Sequence, residues 1–147
     1  MIKKLLAPGK NSASANIALL VLRLWIGLEM LLLHGVDKFA NFKTLAPNFP
    51  DPLGIGHTAS LALAVFAEVF VSSLIVLGLF TRLGALVLMI DMTVAFVFVH
   101  KLALSGEHGG ELAFLYLLAY VVLLVAGPGR ISADKIFFGR TQAGPSR

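Results

Sequence analysis

The sequence contains no cysteine and few charged residues, which make up 14% of its 147 positions. The absence of cysteine excludes disulfide scaffolds, CxxC redox motifs and cysteine-ligated zinc. The charged fraction is little more than half of the roughly 25% that is usual in soluble domains. In contrast, 58% of the residues are hydrophobic and the mean hydropathy is +0.89. Because a soluble domain of this length needs more polar surface to cover its core, an ordinary soluble globule is excluded.

Other familiar signatures are also missing from the sequence. There is no haem-attachment motif and no dinucleotide-binding glycine motif. The formal net charge of +4 comes from basic residues that flank apolar runs, and these form no aromatic-studded basic patch of the kind that binds nucleic acid. We therefore expect no nucleic-acid partner and interpret the basic residues as determinants of membrane topology.

Four apolar runs organise the chain, at residues 17–34, 58–79, 83–100 and 110–126. Their lengths are close to the roughly 17–25 residues that a helix needs to cross a bilayer. They are rich in Leu and Ala and lack the period-2 alternation of strands. Since lipid does not tolerate unpaired backbone groups, the runs predict a single all-α membrane domain, a four-helix transmembrane bundle.

The distribution of Lys and Arg predicts the orientation of this bundle. Eight basic residues fall on the side of the termini, and three fall on the other side. The eight are Lys3, Lys4, Lys10, Arg82, Arg130, Lys135, Arg140 and Arg147; the three are Lys38, Lys43 and Lys101. The positive-inside rule then places both termini and the 127–147 tail in the cytoplasm, and the 35–57 loop in the periplasm. We expect this aromatic, proline-containing loop to cap the bundle or fold back on the membrane, and Ser132 to cap a short helix after Gly127 and Pro128 end the fourth run.

Ionisable residues inside the apolar runs are the candidate functional residues, because each costs at least about 2.5–3.5 kcal/mol on insertion scales. On a helical wheel Arg23, His34 and Lys38 fall within roughly 60° of one another on the first helix. Glu68 lies near the middle of the second helix, and His100 and Glu111 lie at the outer ends of the third and fourth. We predict a proton-handling site in which His34, Glu68, His100 and Glu111 act as catalytic acids and bases, with Arg23 and Lys38 as ligand-binding residues.

Structural roles remain open for the same residues. Arg23 and Glu68 could form a buried ion pair that fixes helix register, and Glu111 could simply complement a helix dipole. His34 and His100 could bond to loop carbonyl groups at the membrane interface. His34, His100 and Glu111 also have the residue types of a two-histidine, one-carboxylate iron site, but no short-range spacing supports a metal, and none is predicted.

Several ordered segments together resemble the DoxX family of small four-helix membrane proteins. They are RLWIGLEMLLLHGVDKF, Glu68, GLFTRLGAL, His100, GGELAFLYL and GPGRISAD. The resemblance covers about residues 22–134 and implies a bacterial inner-membrane, multi-pass protein related to oxidoreductases, some of them linked to thiosulfate:quinone oxidation or to oxidative stress. The polar positions that match the family are Arg23, His34, Lys38, Glu68, Arg82, His100 and Glu111. Glu29 and Asp91 are additional acids outside the usual pattern.

Two classes of function follow from this resemblance. The first is a quinone-linked oxidoreductase subunit with a polar site inside the bundle. Its electrons would come from a partner or a bound cofactor, because the absence of cysteine excludes a thiol relay. The alternative is a non-catalytic membrane assembly factor or partner-binding subunit. The expected partners are the lipid bilayer, a redox or stress-response protein and a second copy of the chain.

Overall fold

The computed structural model describes residues 12–106 and 109–138, and every regular element in these two ranges is helical. We label the four main helices α1 (Ala13–Ala40), α2 (His57–Leu77), α3 (Thr81–Val99) and α4 (Glu111–Ala126). Two short helices, Phe42–Leu45 and Ala46–Asn48, follow α1, and a tail helix, Ala133–Phe138, follows α4. Five of the basic residues in the topology count lie outside the described residues: Lys3, Lys4, Lys10, Arg140 and Arg147.

The predicted all-α class is confirmed for the described residues. The helices α1, α2 and α3 are long and apolar enough to cross a membrane, whereas α4 has 16 residues and is shorter. The chain therefore contacts a lipid bilayer through these helices. α1 continues to Ala40, six residues beyond the predicted end of the first run at residue 34, so Lys38 lies on a helix and not in a loop.

All four helices contribute side chains to one hydrophobic core, in which Ile75, Leu88 and Tyr120 are fully buried. The most extensive contacts are those of α1 with α2 and of α3 with α4. Gly27 lets α1 approach α2 closely, because a Cβ atom added there would lie 2.8 Å from the Val76 side chain. Large apolar side chains also cover the outer faces of the helices, as expected for surfaces that contact lipid.

The end of α2, the start of α3 and the tail meet at one end of the molecule, which we call the Arg23 end. Gly78 ends α2 with φ +70°, a left-handed conformation that glycine adopts without strain. The Asp134 carboxylate accepts the backbone N–H groups of Phe80 and Thr81 at 2.7 and 2.9 Å. It thereby serves as the N-cap of α3, although it is more than fifty residues away in sequence.

Two expectations for the tail are confirmed at this end. Helix α4 stops at Ala126, before Gly127 and Pro128. The Ser132 hydroxyl accepts the backbone N–H of Lys135 at 3.2 Å and caps the tail helix.

Candidate functional site

The centre of the candidate site is an ion pair between α1 and α2. The Lys38 Nζ donates to Glu68 Oε2 at 2.6 Å, and the two side chains are 22% and 6% exposed. Gly35 allows this contact, because a Cβ atom there would lie only 2.6 Å from the Glu68 carbonyl oxygen. The two helices therefore touch through backbone at this level, one turn before Lys38. The alternative prediction of an Arg23–Glu68 pair is wrong, since Glu68 bonds to Lys38.

A π-helical turn lies beside the pair on each of α1, α2 and α3. These turns are Met30–Gly35, Phe66–Val71 and Ala95–Val99. The first contains His34, the second contains Glu68, and the third ends directly before His100. A π turn widens the helix and frees backbone groups, and such turns frequently occur at functional sites. The sequence analysis missed this feature, because neither composition nor periodicity marks an inserted residue.

A cavity of about 260 Å³, which we call the small cavity, lies on the α4 side of the ion pair. The predicted residues His34, Lys38, Glu68 and His100 all line it, so the structure brings four of the six together. The His34 ring meets the ring of Tyr116 edge-on, with centroids 5.7 Å apart. The structure therefore places two imidazoles, an ammonium and a carboxylate around one space.

A second cavity of about 450 Å³, the large cavity, lies between α2 and α3. Lys38, Glu68 and His100 line this cavity as well, so the ion pair forms part of the boundary of both spaces. The loop after α1 covers one end of the large cavity through Phe49, Pro50, Pro52, Leu53 and Ile55. This arrangement agrees with the expectation that the loop caps the helices.

Hydrogen bonds at Asp51 hold the covering loop in place. The Asp51 carboxylate accepts the Ser60 hydroxyl at 2.8 Å and the backbone N–H groups of Gly56 and Ile55 at 2.8 and 3.0 Å. The Ser60 hydrogen bond, helped by the two backbone bonds, holds the pKa of the Asp51 carboxyl below its usual range. The hydrogen bonds to the Asp51 carboxylate are therefore complete at neutral pH, and they weaken only as the pH falls through that lowered pKa. The loop is also linked to the first residue of α2, since His57 Nδ1 lies 2.6 Å from the Phe49 carbonyl oxygen.

The two acids outside the family pattern both lie near the site. Asp91 lines the large cavity, and its charge interacts with those of Glu68 and Lys38. Its Oδ2 atom is buried and has no hydrogen-bond partner among the described residues. Glu29 faces the Tyr116 hydroxyl from α1. Both residues could have been selected from the sequence, because an acidic side chain inside a membrane segment is costly and marks a candidate functional position.

The structure does not bring Arg23 to either cavity. Its guanidinium is 2% exposed and donates to the carbonyl oxygens of Pro128 and Ile131 at 2.8 and 2.9 Å. It sits against Gly78, where a Cβ atom would lie 2.5 Å from the guanidinium. Arg23 therefore holds the tail against the helices at the end opposite Lys38, outside the lining of both cavities.

Glu111 is also absent from the lining of both cavities. It is exposed in the first turn of α4, where a carboxylate complements the helix dipole. Its neighbour Gly110 packs against His100, because a Cβ atom added at Gly110 would lie 2.6 Å from the His100 Cβ. Within residues 12–106 and 109–138, no three His, Cys, Asp or Glu side chains converge on a metal-binding position, so His34, His100 and Glu111 do not form the considered iron triad.

Comparisons with known proteins agree with the sequence resemblance. The family model DoxX matches residues 18–101. An uncharacterized protein of Haemophilus influenzae is 34% identical over 114 residues, which cover 74% of this chain and 83% of that protein. An uncharacterized membrane protein of Mycobacterium tuberculosis is 31% identical over 139 residues, 86% of this chain and 85% of its own length. No solved structure gives a significant match.

Proposed function

This chain belongs to the DoxX family of membrane proteins, and we propose on that basis that it binds a quinone or quinol between its helices as part of a quinone-linked oxidoreductase. The observation that carries the proposal is the Lys38–Glu68 pair, which borders a large cavity with mostly apolar walls and a small cavity that His34 and His100 also line. The cavity volumes are near or within the roughly 300–1,000 Å³ typical of small-molecule sites. Few polar groups placed in an apolar pocket are what a quinone headgroup requires.

The Lys38–Glu68 pair can form hydrogen bonds with both the quinone and the quinol. The Lys38 ammonium is a hydrogen-bond donor and suits a quinone carbonyl oxygen, while the Glu68 carboxylate is an acceptor and suits a quinol hydroxyl. His34 and His100 border the small cavity next to the pair and would exchange protons with it, since an imidazole ring can both accept and donate a proton. Electrons would pass to or from a partner protein of redox or stress-response type.

The proposed orientation is that of a bacterial inner-membrane protein with four crossings and both termini in the cytoplasm. Helix α4, with 16 residues, is about 24 Å long, which is short of the roughly 30 Å hydrocarbon core. Its crossing would be completed by the segments next to it or by local thinning of the bilayer. The Lys38 end, with the two cavities, would then face the periplasm.

Equilibrium dialysis of the purified protein in detergent micelles against a short-chain benzoquinone and a naphthoquinone tests the proposal. We expect Glu68→Gln to weaken binding by about tenfold to a hundredfold, the effect of losing one charge-assisted hydrogen bond. His34→Ala and His100→Ala should weaken it as well. Asp37→Asn is the matched control, because it neutralises an exposed acid on α1 that lines neither cavity.

A Glu111→Gln variant decides whether the exposed acid of α4 belongs to the site, and we expect it to bind quinone as the wild type does. If the wild type binds neither quinone, or binds it equally well after Glu68→Gln and both histidine substitutions, the proposal fails. The non-catalytic alternative, an assembly factor or partner-binding subunit, would then explain the polar residues as structural.

A further inference from the structure

The tail helix, Ala133–Phe138, is held at the Arg23 end mainly by polar contacts. The Asp134 carboxylate caps α3, and the Asp134 backbone N–H donates to the Gly78 carbonyl oxygen at 2.8 Å. Arg23 binds two carbonyl groups of the segment that precedes the helix. No residue of the helix itself is buried. These contacts therefore fix the position of the helix and leave its large apolar side chains uncovered.

The helix lies at the level where α2 ends and α3 begins. These helices have 21 and 19 residues, so each is about 30 Å long, close to the roughly 30 Å hydrocarbon core. Their shared end therefore lies at the boundary between the hydrocarbon and the headgroups. The ring centroids of Phe138 and Phe80 are 5.7 Å apart, and Leu77, Phe80 and Leu83 around this turn are exposed. The apolar side chains of the tail helix thus continue the lipid-facing surface of α2 and α3.

The exposed side chains of the tail helix divide into an apolar and a basic part. Ile136 and Phe137 are 73% and 67% exposed. At 100° per residue, Lys135 falls about 100° from Ile136 and about 160° from Phe137. Helices that lie in the plane of the membrane interface show this division, with Lys or Arg on the polar face and Leu, Phe or Trp on the other.

Cations surround the tail helix. The exposed basic residues at this end are Arg82, Arg130 and Lys135. The segments that form this end, residues 12–28, 76–87 and 124–138, contain one acid, Asp134, whose carboxylate already caps α3. None of the three basic side chains forms an ion pair with a described residue. Their charge is therefore available to the phosphate groups of lipids.

We propose that the tail helix lies in the interface of the adjacent bilayer leaflet and that Arg82, Arg130 and Lys135 bind the headgroups of anionic phospholipids there. Ile136 and Phe137 enter the upper acyl region, and the long basic side chains extend to the phosphate groups. The bilayer then holds the tail together with the hydrogen bonds of Arg23 and Asp134. This inference does not depend on the proposed quinone function.

The depth of the helix is measured by electron paramagnetic resonance on single nitroxide labels, which the absence of cysteine makes possible. A label at Phe137→Cys, in the full chain in phosphatidylglycerol nanodiscs, should be more accessible to oxygen than to a water-soluble nickel chelate. Leu118→Cys, exposed in the middle of α4, is the lipid reference, and Ser105→Cys, exposed between α3 and α4, is the water reference. Ile136→Cys repeats the measurement if the Phe137 variant folds poorly.

The headgroup preference is measured by native mass spectrometry of the purified chain, titrated with phosphatidylglycerol or phosphatidylcholine. The wild type should bind phosphatidylglycerol at least tenfold more tightly. Arg130→Gln combined with Lys135→Gln should lower this preference by about tenfold to thirtyfold, the effect of two cations at a membrane surface. Lys43→Gln combined with Lys101→Gln is the matched control, because it removes two exposed cations remote from the tail and changes the net charge equally.

Three results would overturn the inference. Labels at residues 136 and 137 as accessible to the nickel chelate as the label at residue 105 would place the helix in water. Labels shielded from both reagents would mean that protein, such as a second copy of the chain, covers the helix. Equal binding of the two lipids by the wild type, or equal losses in the two double variants, would remove the anionic headgroup site.

Discussion

Replacing Lys38 by methionine is expected to destabilise the protein more than replacing Glu68 by glutamine, although both changes break the same ion pair. Lys38 lies in the last turn of α1 with 22% of its side chain exposed, whereas the Glu68 side chain is 6% exposed in the middle of α2. A lysine freed near a helix end can extend towards water, but a glutamate freed in the interior cannot. The freed Glu68 carboxylate would also face the acid Asp91 without the compensating ammonium.

The magnitudes follow from the burial of each partner. Breaking a buried pair by removing one side costs about 3–5 kcal/mol, and we expect Lys38→Met to fall in this range. Glu68→Gln should cost less, about 1–3 kcal/mol, because the freed ammonium is partly hydrated and the amide still accepts a hydrogen bond. The double variant should cost less than the sum of the single variants by about 1–3 kcal/mol.

SDS-induced unfolding in mixed micelles, followed by the fluorescence of the single tryptophan, Trp25, measures these free energies. Lys43→Met is the control, since it removes an exposed lysine from the short helix that follows α1. A Lys38→Met variant as stable as Lys43→Met would refute the reasoning. The reasoning would also be refuted if the losses of unfolding free energy in Lys38→Met and Glu68→Gln simply added up in the double variant. The ion pair would then contribute nothing to the stability of the folded state.

Three further outcomes are expected. Reporter fusions after Arg82 and at the tail should give cytoplasmic signals and a fusion near Asn48 a periplasmic one; a periplasmic tail would contradict the proposed orientation. Asp134→Ala should lower stability by about 0.5–2 kcal/mol, as for loss of a helix cap, and Asp134→Asn by less; equal thermal midpoints for the wild type and both variants would argue against the cap. Gly35→Ala should cost about 1–3 kcal/mol through overpacking against the Glu68 carbonyl, and an unchanged midpoint in the same thermal assay would mean that α1 and α2 do not meet there.

The helices and their contact with lipid could be predicted because composition and run length determine them almost alone. The convergence of polar residues from different helices on one cavity could be predicted only in part. Counting along the runs puts His34 and His100 at the outer ends of their helices and Glu68 near the middle of its own, whereas all three line the small cavity together with Lys38. The Lys38–Glu68 pair was not predicted, because a helical wheel gives the face of the first helix on which Lys38 lies but not the neighbouring helix that this face meets.

Helical-wheel reasoning failed where a π turn intervenes. At 100° per residue, Asp91 and His100 are roughly 180° apart on α3, which predicts opposite faces for them. The π turn Ala95–Val99 adds one residue between them, which reduces the difference to about 80°. Both residues consequently line the large cavity. An inserted residue leaves no mark in hydropathy, so the sequence alone could not reveal this.

Arg23 shows a different limit of sequence reasoning. A charged side chain in an apolar run suggests a charged partner, but its partners are two backbone carbonyl groups in the tail. Every residue has a carbonyl group, so residue types give no indication of this choice. The same holds for the cap of α3, where Asp134 replaces a local capping residue.

The bonds of Arg23 to the tail impose an order on biosynthesis. Arg23 is made early and enters the membrane on α1, yet the carbonyl groups that receive its guanidinium are 105 and 108 residues later in the chain. Throughout the synthesis of α2, α3 and α4, this cation must be solvated by water, lipid headgroups or the insertion machinery. The Arg23 end of the molecule therefore cannot close before the chain has been synthesised through Ile131, and a chain truncated before that residue would lack one of the two carbonyl acceptors of this guanidinium.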